Sequence, residues 1–441
     1  MKKIVLLILG LFFIVGCNDN HANLQLNYDL SAEFELLSSE IELNSLLSRN
    51  SEGIVDWQLS REFAQMALDN CIIEGDYPDS SKIWEFPIGI YSDDGQIRYY
   101  EFRVVNNETV IAAITCNARE NLGGPISYIF SMNGYMDEIT KLYNDNKLST
   151  NEIPRIIDNA YPSYAIGISE TKRSGDIQIE NLINPITGEH VSEVTKILTV
   201  EESFEEYPDA YTDKEKEIAK AELDSYKSEL KEFWKMAKTN KGNIETAKFR
   251  GAPRNIRQQV DNKKIQNAIE NSCSYLGYKK RSIPLSYQAC GATATGFILD
   301  YLYYNNFDKA EGWAEKTDRS ERISLLRDVL KIPNETMITW PWNIGRSIEE
   351  STKYDVVGTT GIVPKSSINN NIPGINLRSL KSLSKEDITG GFHYRNVIGY
   401  KTEEWFIFQW DYMLILDGNG FDSGWESYTP LYHLQSWDVI K

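Results

Sequence analysis

The feature that most limits what this chain can fold into is an unbroken apolar run, Ile4 to Val15, placed between Lys2-Lys3 and Gly16-Cys17. A positive start, a short apolar stretch and a small residue form the order of a secretory signal, so the folded protein is expected to begin after Gly16. The run is too short to be a permanent membrane-spanning helix. The remaining chain exceeds what one core usually supports: 441 residues in all suggest two or three domains. With 41% hydrophobic and 12% aromatic residues, there is ample material for packed interiors, and the composition is not that of a disordered chain.

Ile14-Val15-Gly16-Cys17 resembles the lipobox of bacterial lipoproteins, in which the cysteine is acylated and becomes the new N-terminus. The resemblance implies an exported, membrane-anchored protein at the outer membrane or cell surface, held by lipid at Cys17. Loss of Lys2 and Lys3 with the leader takes the formal net charge from −18 to −20, which makes nucleic acid a poor partner. Cys71, Cys116, Cys273 and Cys290 remain. Their spacing supports neither a disulfide framework nor a zinc site, and Cys71 and Cys116 either pair or stay as buried thiols.

The pattern divides the chain into a signal (1–16), a polar tether (17–30), an α+β region (31–150), a connector (151–253) and a C-terminal domain (254–441). A helix is expected to start near Ser60. The alternating run Ile97 to Val105, the turn Asn106-Asn107-Glu108 and the β-prone Thr109 to Thr115 read as a hairpin. This stretch resembles the pro-domain of streptopain-like peptidases. Between Glu201 and Asn243, apolar residues Ile218, Leu223, Tyr226, Leu230, Phe233 and Trp234 fall near helical spacing in an acidic, Lys/Glu-rich run, which predicts one long amphipathic helix. Thr212 and Glu215 match a capping box, and Lys241-Gly242-Asn243 a stop.

Chemistry concentrates in the last third. After the loop Ile283 to Ala289, Cys290-Gly291-Ala292-Thr293-Ala294 leads into Phe297, Ile298, Tyr301 and Leu302 at the spacing of a buried helical face. Cys290 is thus expected at a helix N-terminus, where unpaired amides and the helix dipole favour a thiolate. Gly390-Gly391-Phe392-His393 precedes a strand-like Tyr394 to Tyr400, and Tyr412 to Leu416 ends in Asp417 before Gly418-Asn419-Gly420. A histidine at a strand entrance can face a thiol, and a carboxylate can fix the histidine tautomer. Of the other histidines, only His433 rivals His393; His21 lies in the tether and His190 in a loop.

Together these segments resemble papain-like cysteine peptidases, above all the streptopain-like and bacteriocin-processing groups, over roughly Ile283 to Trp425. The resemblance implies an α+β fold, with the nucleophile's helix packed on an antiparallel sheet. It assigns Cys290 as nucleophile, His393 as general acid/base and Asp417 as orienting group, with a peptide or protein substrate and a zymogen whose pro-domain blocks the cleft until it is cut. The family's oxyanion glutamine, six residues before the cysteine, is replaced by Pro284, and Gln288 is the nearest substitute. The same residue order also serves transglutaminase-like acyl transfer, and a degenerate papain fold can act as a surface binding or inhibitory lipoprotein. Motifs for zinc or serine hydrolysis, P-loops and dinucleotide binding do not occur, so no cofactor or metal is expected.

Overall fold

A computed structural model describes residues 30–38, 43–44, 53–132, 134–149, 152–169, 177–185, 187–244, 256–271, 290–307, 341–360, 363–382, 391–416 and 424–440. The leader, Cys17 and its tether up to residue 29, Cys273, Pro284, Gln288 and Asp417 lie outside the described residues, and Leu30, expected in the tether, already belongs to the first helix.

The first half opens with α1 (Leu30–Leu37) and α2 (Trp57–Ile73), the latter starting three residues before Ser60 because Asp56 caps it, accepting the Gln58 N–H at 2.8 Å. Strands β1 (Lys82–Ile83), β2 (Ile88–Tyr91), β3 (Ile97–Asn106), β4 (Thr109–Asn117) and β5 (Ile126–Phe130) follow. Then come α3 (Met136–Asn144), β6 (Ile153–Asp158), β7 (Tyr164–Ser169), β8 (Ile179–Ile183) and β9 (His190–Val191). The expected hairpin is β3–β4, closed by Asn107 and Glu108 with φ of +48° and +65°. Alternation of this kind usually marks a strand with one face in water, yet both faces of β3 are largely covered. Arg103 is buried between Glu33 of α1, at 3.2 Å, and Glu101. Glu101 also accepts the Tyr135 hydroxyl at 2.8 Å. Charged residues on a strand can read as a wet face in sequence while pairing internally in the fold.

The connector contributes β10 (Thr195–Ile197), α4 (Val200–Glu206) and α5 (Asp213–Thr239). The long helix expected from the Thr212–Glu215 capping box is α5, which ends just before Lys241-Gly242-Asn243; a separate short helix, α4, precedes it and is opened by its own capping box, Thr199 with Glu202. Between them Tyr207 leaves helical geometry and a short turn, Pro208–Ala210, follows. Leu223, Leu230, Phe233 and Trp234 are buried as their spacing predicts, but Ile218 is 42% exposed, because in the first two turns only Ala219 is covered.

The last part contains β11 (Ile256–Gln259), α6 (Asn262–Asn271), α7 (Cys290–Tyr304), α8 (Pro341–Ser351), β12 (Asp355–Thr360) and α9 (Lys365–Asn369). It closes with β13 (Gly374–Ser382), β14 (Gly391–Trp405), β15 (Phe408–Leu416), β16 (Gly424–Ser427) and β17 (Gln435–Ile440). The result is a mixed α/β architecture built on one large, almost wholly antiparallel sheet. Hydrogen bonding runs from β9 through β8, β7, β6, β2, β3, β4 and β5 to β16, β15, β14, β13, β17 and β12. Only β2–β6 is parallel. The junction between the halves is β5–β16, where Tyr128 pairs with Glu426 and Ile129 with Trp425. No helix among the described residues is long and apolar enough to cross a membrane.

Candidate active site

Cys290 is the first residue of α7, as its sequence context predicts. The predicted face, Ala294, Phe297, Ile298, Tyr301 and Leu302, is buried. The burial goes further, taking in Thr293, Thr295 and Asp300, so the helix is enclosed on nearly all sides. Its carboxyl end is fixed by the Asn267 side-chain amide on the Tyr304 carbonyl, at 2.9 Å, and by the Tyr301 hydroxyl on the Asn371 carbonyl, at 2.7 Å. Its amino end rests on β14, where the Asn396 side-chain amide donates to the Ala294 carbonyl at 3.0 Å. Tyr394 lies beside Cys290. Burial first, and then the nearby sulfur, push the Tyr394 phenol well above its usual range.

His393 is on the same strand, buried, directly across from Arg378 of β13. Side chains alternate along a strand. Tyr394 and Asn396 meet α7, so His393 and Arg395 occupy the opposite face, next to Arg378 and Asn376. On that face Arg395 pairs with the Glu426 carboxylate and donates to Asn376 Oδ1 at 2.9 Å, while Arg378 lies 3.8 Å from Glu426. The structure therefore brings the Cys290 helix onto the strand led by His393, with Asn396 of that strand bonded to Ala294 of the helix. Strand β15 ends at Leu416, one residue before Asp417.

His433, the rival base, has both ring nitrogens occupied. Nδ1 is against the Thr429 backbone at 2.9–3.0 Å and Nε2 is 2.9 Å from Glu426 Oε1. It is an internal brace of the Glu426 cluster, with no ring nitrogen left for a thiol. His190 is exposed on β9. Cys71 and Cys116 are separate buried thiols rather than a disulfide. Burial pushes Cys71 up to about 12 and Cys116 well above the usual thiol range, and Cys116 Sγ donates to the Ser60 carbonyl at 3.3 Å. Neither is suited to attack a carbonyl at neutral pH.

Sequence reasoning passed over Asn396 and the Arg395–Glu426–His433 group. A signal for Asn396 exists, an amide inside an otherwise apolar strand, which when buried must find a backbone partner. Glu426 has no comparable local mark. Comparison with known protein families and with curated proteins finds no match for this chain.

Proposed function

We propose that this chain is a lipid-anchored, exported thiol peptidase with a papain-like C-terminal domain. The observation that supports it is the placement of Cys290 at the start of α7, packed through Ala294 and Asn396 against the strand that His393 leads. In this reading the first-turn amides of α7 stabilise negative charge on the sulfur, and Asp417 orients His393. The thiolate attacks the carbonyl carbon of a peptide bond. The C–N bond then breaks as His393 gives a proton to the leaving amine. Water, activated by the now neutral His393, hydrolyses the thioester, releases the carboxylate product and restores the thiol. Gln288 and the Cys290 backbone N–H would hold the oxyanion. The chemistry requires the imidazole within hydrogen-bond reach of the thiol.

A second reading is favoured by a specific observation, the position of His393 directly across from Arg378 in the sheet register. A papain-like fold that keeps this arrangement is a binding or inhibitory surface lipoprotein without catalysis. Iodoacetamide labelling of residues 18–441 near neutral pH separates the two. The peptidase reading expects fast modification at one site, abolished by Cys290→Ala and slowed at least about a hundredfold by His393→Ala. Slow labelling indifferent to His393 removes the catalytic reading and leaves the binding one. Hydrolysis exceeding amine incorporation into a glutamine donor distinguishes peptidase from acyl transfer.

A further inference from the structure

We propose that the N-terminal half is not a removable pro-segment: once the chain is cut between α5 and β11, the two parts stay together as one particle. On the peptidase reading, any activating change must then occur inside the assembled molecule; the association itself is independent of catalysis.

Four observations carry the proposal. First, the sheet is shared. β5 is hydrogen-bonded to β4 on one side and to β16 on the other, so its departure would bare the edge of β16. The approach is tight: a Cβ on Gly424 would come within 2.9 Å of the Phe130 Cβ and 3.1 Å of the Ile129 carbonyl oxygen. A Cβ on Gly124, just before β5, would meet the Trp410 ring at 2.8 Å.

Second, an aromatic cluster joins three parts of the chain. Phe63 of α2 stacks on Trp405 at 5.2 Å between centroids and touches Phe233 and Trp234 of α5. Phe233 in turn contacts Phe406, Phe408 and Trp410 of the β14–β15 hairpin. The Trp234 indole N–H donates to the Gly123 carbonyl at 3.1 Å. Separation would put these ring faces into water, which is the signature of a permanent interface rather than a transient one.

Third, Arg257 of β11 grips Asp76 with both terminal nitrogens, at 2.7 and 2.8 Å, and reaches Glu74 at 2.8 Å. These two carboxylates follow directly after α2. Fourth, the connector is stitched to the C-terminal sheet. β10 pairs with β13, the Leu198 N–H donates to the Ser379 carbonyl at 3.0 Å, the Val200 N–H to the Leu431 carbonyl at 2.8 Å and the Tyr207 hydroxyl to the Leu380 carbonyl at 3.1 Å. A spacer helix awaiting removal would not need these bonds.

The test inserts a specific protease site between residues 245 and 255 of the mature chain carrying Cys290→Ala, so that the chain cannot process itself. After complete cleavage, size exclusion is run at low micromolar concentration in 1 M NaCl, which screens the Arg257 pairs but not the apolar contacts. One peak at the mass of the uncut chain, containing both fragments, is expected. Two separate peaks overturn the proposal. Gly424→Val in the cut chain is expected to weaken association at least about tenfold, in keeping with a lost backbone junction. Association unchanged by Gly424→Val overturns the role of the β5–β16 strand pair. Because Cys290 is replaced throughout, neither outcome depends on peptidase activity, which thiol labelling of the unsubstituted chain decides separately.

Discussion

At the scale of single residues, the Glu426 group shows how a buried charge is made tolerable and how it will respond to acid. Burial alone would raise the Glu426 pKa, but Arg395, the His433 hydrogen bond and Arg378 hold it well below the usual 4.5. Burial pushes His433 below its usual 6.5, against the upward pull of its Glu426 hydrogen bond. Both shifts act in the same direction. A depressed carboxylate contributes stability above its unfolded pKa and loses it as pH falls further. A histidine kept neutral in the fold is protonated more readily when unfolded, so stability also drops as pH falls through about 6.5. Urea unfolding is therefore expected to show a free energy that declines steadily from pH 7 to pH 4. His433→Gln should flatten the part between pH 6.5 and 5, and Glu426→Gln should cost about 3–5 kcal/mol at pH 7. A flat profile over that range would contradict this account. None of this was visible in the sequence, because the partners of Glu426 come from two different strands and a loop.

At the scale of elements, local pattern served well where a single segment decides its own shape. The β3–β4 hairpin was legible from alternation broken by Asn106-Asn107-Glu108, and its turn places both Asn107 and Glu108 at positive φ. Asn tolerates that region; Glu does so at a cost. Glu108→Gly is accordingly expected to raise stability by about 0.5 kcal/mol, the relief of a left-handed side chain outweighing the added chain entropy. In thermal melts of the whole chain this should appear as a rise of about 0.5 °C; a fall would show that the turn gains more from the glutamate side chain than from relieved backbone. The start of α7 was legible in the same way, since small residues lead from Cys290 into an apolar face. Its near-complete enclosure was not, because Thr293, Thr295 and Asp300 read as a polar side and are buried by neighbours distant in sequence.

At the scale of the whole molecule, the shared sheet and the Phe63–Phe233–Trp405 cluster predict that the two halves unfold together. Calorimetry on the mature chain should give one cooperative transition despite its length, where independent domains would give two. Phe63→Ala, which opens a cavity at the junction, is expected to lower the stability of that single transition by about 3–5 kcal/mol. Two resolved transitions, only one of them moved by Phe63→Ala, would show that the halves are thermodynamically separate.

The sequence by itself determined what depends on neighbours along the chain: the signal-like start, the capped α5 helix, the β3–β4 hairpin, and a cysteine at a helix start followed later by a histidine-led strand. Tertiary structure alone decided which of these meet and on which face. The period of a strand is two residues, so whether His393 or Tyr394 faces α7 is a matter of register, and register is set by contacts such as Asn396 with Ala294 and Arg378 opposite His393. The joining of β5 to β16 has the same origin: each strand's sequence specifies an extended, largely buried segment, and only the complete packing of both halves specifies its partner.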